Sequence, residues 1–308
     1  MARLREGQSH SSGQAPLVTI AMPIYNAGRY LRPAVISIMQ QTLSDWELLV
    51  IDDGSTDGAV DGIRDLGDSR IRILRDGLNR GLAARLNEAI DQARGRFFAR
   101  MDQDDISYPE RLDRQLKMLE QDPELDLVVV RCMAIDADDK PVGTMPLALA
   151  HEELCARPWR GFYLPHPTWF GRIDWFRRHR YAAPGPYCSE DQELMLRSYR
   201  DSRFASALEI MFAYRVRNRI HWRKQVRTRK TLVGLQLRHF LATRQYGFGV
   251  LALGTFVARI FMDASSALAQ SFGWQGIHRY HAVVASPHEL QRWREVLNQI
   301  AMAEKRFE

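Results

Sequence analysis

The chain has 308 residues, 45% hydrophobic and 26% charged, which suits one large domain or a domain with an extension and excludes a disordered protein. The formal net charge of +6 is unevenly spread: residues 215–308 hold 16 Lys+Arg against 5 Asp+Glu, and residues 1–214 hold 27 against 32. An acidic front and a basic back imply two tasks on one chain.

In chain order, residues 1–16, "MARLREGQSHSSGQAP", are polar without an apolar run and read as a flexible leader, not a secretory signal. Short apolar runs and helical patterns then alternate. Strands are expected at 17–22, 46–52, 70–74, 96–101 and 125–133, and helices at 30–41, 59–66, 82–93 and 109–121. Pro109 suits a first helical turn, and Glu110 complements the positive end of that helix. Near-continuous Val/Ile/Leu strands between helices predict an α/β fold with a mainly parallel sheet covered on both faces. Ligands of such sheets bind beyond the carboxyl ends of the strands. Three polar clusters fall there: "PIYN" (23–26), "DDGSTDG" (52–58) and "DQDD" (102–105). Cys132, Cys155 and Cys188 show neither zinc nor redox spacing, which predicts reduced thiols in a cytosolic compartment.

Each cluster has a plain reading and a chemical one. "DDGSTDG" suits a turn and helix cap, or a loop whose carboxylate meets a nucleobase or ribose. "PIYN" suits a strand-to-helix turn, or a site where the Tyr25 ring stacks on a base, a contact worth roughly 1–3 kcal/mol. On extended backbone Asp102 and Asp104 share a face while Asp105 points away. Two carboxylates on one face can hold a hard divalent cation and leave positions open for phosphate oxygens. One helix cap needs one carboxylate, and this turn holds three. "SEDQELMLR" (189–197) reads either as a helix with an acidic first turn or as the seat of a catalytic carboxylate.

Taken together, "TIAMPIYNAGRYL", "LLVIDDGSTDG", "NRGLAARLNEAIDQARGRFFARMDQDD" and "SEDQELMLR" resemble the family 2 glycosyltransferases of the GT-A fold over about residues 17–215. The resemblance implies an inverting transferase that uses a nucleotide-diphosphate sugar, typically a UDP-sugar, with Mn²⁺ or Mg²⁺. It implies that Pro23, Tyr25, Asp53 and Asp102 hold the nucleotide, and that Asp104 with Asp102 binds the metal. It implies Asp191 as the base with Glu190 beside it, and places His166 of "HPTWFGR" on the donor and acceptor side. In that chemistry a divalent ion stabilises the departing diphosphate, while a base opposite takes the proton of the acceptor hydroxyl. Many relatives carry Arg or Lys just before the Asn of the third motif. Here Leu86 stands there, with Arg85 one step earlier and Arg100 as the alternative source of charge. "ELQRW" (289–293) is a poor match to the motif of processive relatives, so a single addition is expected.

Residues 216–308 form a basic extension, expected to be helical and either membrane-peripheral or dimerising. No acidic residue lies between Glu209 and Asp263. Lys/Arg-rich runs with aromatics suit nucleic acid or an anionic membrane, the latter at about 1 kcal/mol per basic residue. The apolar run 248–262 falls short of the roughly 20 residues a span needs, so lying in the interface is expected and nucleic acid is disfavoured. The acceptor is expected to be a glycan or lipid-linked hydroxyl, and the protein to work at the cytoplasmic face of a bacterial inner membrane. Competing readings are a non-catalytic sugar-nucleotide-binding scaffold, which has no use for Asp191, and a nucleotidyltransferase, which calls for a Gly-rich cationic loop that "PIYNAGRY" does not supply.

Overall fold

The computed structural model describes residues 15–186, 188–216, 222–271 and 283–307. The expected leader lies outside them except for Ala15 and Pro16. In chain order the elements are β1 (Val18–Ile24), α1 (Leu31–Met39), β2 (Trp46–Asp52), β3 (Ile71–Arg75), α2 (Leu82–Gln92), β4 (Phe97–Arg100), β5 (Ile106–Ser107), α3 (Arg111–Gln121), β6 (Leu127–Ile135) and β7 (Pro141–Thr144). Then come α4 (His151–Cys155), β8 (Phe170–Arg172), α5 (Ile173–Arg178), α6 (Glu190–Ser198), β9 (Phe204–Arg215), α7 (Trp222–Ala242), α8 (Tyr246–Ser271) and α9 (Pro287–Glu304). The helix expected at 59–66 is a 3₁₀ turn, Asp61–Leu66.

The strands form one sheet in the order β3-β2-β1-β4-β8-β6-β9-β5, with β7 added on β6. β3, β2, β1 and β4 pair in parallel, as the alternating pattern predicts. Beyond β4 the sheet is mixed, because the three-residue β8 enters antiparallel to both β4 and β6. A Cβ on Gly171 of β8 would lie 2.5 Å from the Asp126 carbonyl, so glycine permits that insertion. Every residue of β1 and β2 is buried, and alternate side chains feed the two faces. Val18, Ile20 and Met22 join a core with α1, α3 and α9, whereas Ala21 joins a second core with α2, α5 and α6.

α9 belongs to this layered body. Ser286 and Glu289 close a reciprocal capping box at its start. Its Trp293 is buried, stacks on Tyr108 and donates its indole N–H to the Asp139 carbonyl at 3.0 Å. Arg292 binds Glu110, so that carboxylate is spent on a partner helix as well as on the start of α3. The "ELQRW" stretch is thus a packing surface of α9.

α8 departs from the expectation for 248–262. The helix runs 26 residues, and 23 of them, Tyr246–Leu268, are apolar enough and long enough to cross a membrane by length and composition. Arg259 and Asp263 break the apolar run in sequence but not the helix. Asp263 turns to α7, where it binds Arg229 at 3.0 Å and Gln225 at 3.2 Å.

Candidate active site

The loops after β1 and β2 are stitched together. The Asn26 side-chain oxygen accepts the Thr56 N–H at 2.9 Å, and the Asn26 N–H donates to Ser55 Oγ at 3.0 Å. Pro23 is buried in β1 opposite Ile51. Tyr25, by contrast, is 50% exposed just past the strand. Asp52 is buried, accepts the Ser55 N–H, and lies 3.1 Å from Arg75. Asp53 accepts the N–H groups of Arg80 at 2.6 Å and Gly81 at 3.0 Å, and the Arg85 guanidinium at 2.9 Å.

Arg85 is 1% exposed and also binds Asp76 and Glu88. It holds the Asp76 carboxyl well below the usual carboxylate range. This arginine therefore faces inward and fixes the start of α2, and Leu86 is core. Between the two candidate cations, Arg100 is the one that reaches the cavity described below.

The "DQDD" segment is a turn, so its carboxylates do not alternate as on extended backbone. Ligand oxygens of Asp102, Asp104 and Asp105 all lie within 4.8 Å of one another, and Asp105, expected to point away, joins the group. Asp105 is buried and accepts the Arg215 N–H at 2.7 Å, while its Oδ2 has no hydrogen-bond partner among the described residues. Burial, with Asp102 and Asp104 adding to it, pushes its carboxyl well up. Three converging hard oxygens with one orphaned buried atom fit a divalent cation, whose charge would relieve the repulsion.

Gln103, between the first two aspartates, grips the Tyr25 backbone from both sides: it accepts the N–H at 2.6 Å and donates to the carbonyl at 3.1 Å. Sequence reasoning passed over this clamp, whose signal is its place as the middle residue of the acidic motif. Arg111 was also missed. It is wholly buried and donates to the carbonyls of Arg100 and Pro167, both at 3.2 Å, tying the acidic turn to the "HPT" segment. Desolvation pulls its pKa down to about 9.

A cavity of about 840 Å³ opens beyond these strand ends, and its lining includes Arg100, Asp102, His166, Glu190 and Asp191. Arg80, Gly81 and the first residues of α2 form another wall, presenting the end of a helix whose free N–H groups attract anions. Tyr25, Pro23, Asp53 and Asp104 are not part of this lining, although Asp53 holds Arg80 and Gly81, which are. Arg100 is 3% exposed, binds Asp102 at 2.5 Å, and keeps Nε and Nη1 without a hydrogen-bond partner among the described residues. Burial disfavours its charge, but Asp102 and the neighbouring acids outweigh burial and raise its pKa.

Glu190 and Asp191, also in the lining, open α6. Burial first, then Asp191, pushes the Glu190 carboxyl up. His166 lies 4.0 Å from Glu190 and shares a 2.7 Å hydrogen bond with Tyr181. Burial, aided by Arg100, drives its pKa well below 6.5, so it sits there as neutral imidazole. Gln192 fastens α6 to Phe162, another lining residue, through two hydrogen bonds of 2.9 and 3.0 Å. Cys188 is an exposed free thiol at the rim.

The ends of the parallel strands, Asp102 of the acidic turn and the α6 carboxylates thus meet around one cavity. The family model for glycosyl transferase family 2 matches residues 19–180, and the chain belongs to that family. It is 36% identical over 124 residues to the putative glycosyltransferase EpsE of Bacillus subtilis, covering 39% of this chain and 45% of that one. It is 40% identical over 103 residues to the Escherichia coli UDP-Glc:alpha-D-GlcNAc-diphosphoundecaprenol beta-1,3-glucosyltransferase WfgD, covering 33% and 41%. The chain thus spans less than half the length of these two relatives. Among solved structures, S. aureus TarS 1-349 in complex with UDP-GlcNAc matches with a TM-score of 0.61 and 16% identity, covering 93% of this chain and 81% of that one. The mannosyltransferase PcManGT of Pyrobaculum calidifontis, with GDP-Man and Mn²⁺, matches with a TM-score of 0.57 and 17% identity, covering 94% and 87%. At such identities these two likenesses speak for the fold.

Proposed function

We propose that the chain is an inverting enzyme that moves one sugar from a UDP-sugar to a hydroxyl of a glycan or lipid-linked acceptor at the cytoplasmic face of the membrane. The observation that carries this reading is that Asp102 of the acidic turn and Asp191 at the head of α6 line the same cavity. WfgD, by its name, takes UDP-Glc and a diphosphoundecaprenol-linked acceptor, which supports both the donor nucleotide and the lipid-linked class. The Mn²⁺ bound by PcManGT supports a divalent metal.

Asp102 and Asp104, with Asp105 behind them, would hold Mn²⁺ or Mg²⁺, which supplies Lewis-acid stabilisation of the leaving diphosphate. Arg100 offers its spare donors to the same negative charge, and the first turn of α2 with Arg80 adds N–H groups. Tyr25 and Asp53 stand at neighbouring strand ends and form the nucleoside side, with Gln103 setting the Tyr25 backbone. Glu190, whose carboxyl burial and Asp191 push up, lies beside Asp191, which takes the proton of the attacking hydroxyl. Neutral His166 offers a hydrogen bond without adding charge. A direct displacement with a base and no enzyme nucleophile inverts the anomeric centre.

The test is UDP release from a panel of UDP-sugars with Mn²⁺ or EDTA, for the natural chain and for Asp191→Asn. One donor should turn over, EDTA should abolish turnover, and Asp191→Asn should lose transfer by about a thousandfold while still binding nucleotide. No binding of any UDP compound to the folded, metal-supplied protein would overturn the UDP reading.

A further inference from the structure

α8 is built the wrong way round for a helix facing water. Tyr246, Val250, Leu253, Val257, Phe261 and Leu268 recur at helical spacing and are 46–74% exposed, so the stripe turned to solvent is apolar. It extends over 23 residues, about 34 Å at 1.5 Å per residue. The charges of this stretch are turned the other way. Asp263 binds Arg229 and Gln225 of α7, and Arg259 is half-buried near Arg229, Arg160 and Asp263.

The opposite face of α8 is occupied by protein. Ala252 is buried, and Phe248 packs on Trp159 and Phe240 at ring distances of 5.0 and 5.6 Å. A helix held along one side offers only its other side, which favours lying in an interface over crossing it. Charge selects the occupant. The exposed residues of α7 and of the turn that follows include Arg223, Lys224, Lys230, Arg238 and Arg244, and no acidic residue lies between Glu209 and Asp263. Two copies meeting through this hairpin would bring like charges together, whereas an anionic lipid surface meets them with opposite charge.

We infer that the α7–α8 hairpin docks in the plane of an anionic bilayer, apolar stripe in the acyl boundary and α7 cations on the headgroups, and that this sets the active-site cavity against the membrane. The second half rests on the proposed transfer to a lipid-linked acceptor. Pro158–Arg160 packs on α8, and Gln236 of α7 donates to the Pro158 carbonyl at 2.9 Å. Only two residues further on, Phe162, Tyr163 and Leu164 line the cavity. Docking therefore puts that rim beside the lipid, where an acceptor anchored in the bilayer reaches it without leaving.

Flotation of the full chain with phosphatidylcholine vesicles, and with vesicles of equal phosphatidylcholine and phosphatidylglycerol, tests this. The protein should float with the anionic vesicles and far less with the neutral ones. Val257→Asp with Phe261→Asp should weaken binding at least about tenfold, whereas Val257→Leu with Phe261→Leu should keep it. Arg223→Glu, Lys224→Glu and Lys230→Glu should each cost about fivefold. Donor hydrolysis without vesicles should be unchanged in all of them, since none lines the cavity.

No flotation, or equal flotation with both vesicles that ignores the cation variants, would overturn the inference. So would a dimer that Phe261→Asp splits, or binding that survives alkaline carbonate, which would mean a spanning helix. Flotation without turnover of any nucleotide sugar leaves the docking and sinks the transfer reading. Turnover without flotation does the reverse.

Discussion

Two acidic clusters, at the ends of the strands on either side of β1, use their charge in opposite ways. In the loop after β2 each carboxylate faces a protein cation: Asp52 lies 3.1 Å from Arg75 through an Oδ2 that makes no hydrogen bond among the described residues, and Asp53 meets Arg85 together with the N–H groups of Arg80 and Gly81. After β4, Asp102, Asp104 and Asp105 converge, Asp105 is pushed towards its protonated form, and its Oδ2 is orphaned among the described residues. The first cluster shapes the wall of the cavity, whereas the second holds an excess of negative charge that suits a cation. Similar residue types thus separate into framework and chemistry by their partners alone.

Substitution should separate the two further. Asp104→Asn or Asp102→Asn should cut metal-dependent UDP release by about a hundredfold to a thousandfold, because several kcal/mol of leaving-group stabilisation goes with the metal. Asp104→Asn should keep or raise the thermal midpoint, since it removes one of three repelling charges, whereas Asp102→Asn also strands buried Arg100 and should lower it. A large loss of stability in Asp104→Asn would make this turn structural too.

Asp53→Ala should show the inverse pattern. Arg85, 1% exposed, keeps Asp76 and Glu88, so urea unfolding should report a loss of about 2–3 kcal/mol and not the larger cost of a fully stranded cation. Remaining kcat should track the folded fraction, and the donor KM should rise because Asp53 also stands on the proposed nucleoside side. The smallest effect is expected for Gln103→Leu, which unhooks the acidic turn from Tyr25. Two partly exposed hydrogen bonds of about 1 kcal/mol each suggest a KM increase of up to about tenfold at nearly constant kcat.

β1, β2 and β4 were legible because buried parallel strands write themselves as apolar runs, and the edge strand β3 as an alternating one, which also fixed the order of the polar clusters. β8 was not, since three residues inserted by pairing on both sides leave no local period. Arg85 looked available for phosphate because its three carboxylate partners come together only in the fold. The convergence of Asp105 was hidden for a similar reason: alternation holds on a strand, and this segment turns. For α8 the apolar content was plain, but the direction it faces depends on Arg229 and Gln225 of another helix.

α9 has a consequence for how the chain is made. It closes over α1, with Glu304 3.2 Å from Arg32 and Trp293 stacked on Tyr108, contacts that join the far end of the sequence to its beginning. The ribosome therefore releases the α7–α8 hairpin, complete by residue 271, before the residues that seal this core. A nascent chain at that stage has the hairpin with its exposed apolar stripe in hand and its first core still uncovered. Such long-range closure is slow. If the hairpin docks on a bilayer as inferred above, that docking can precede completion of the fold.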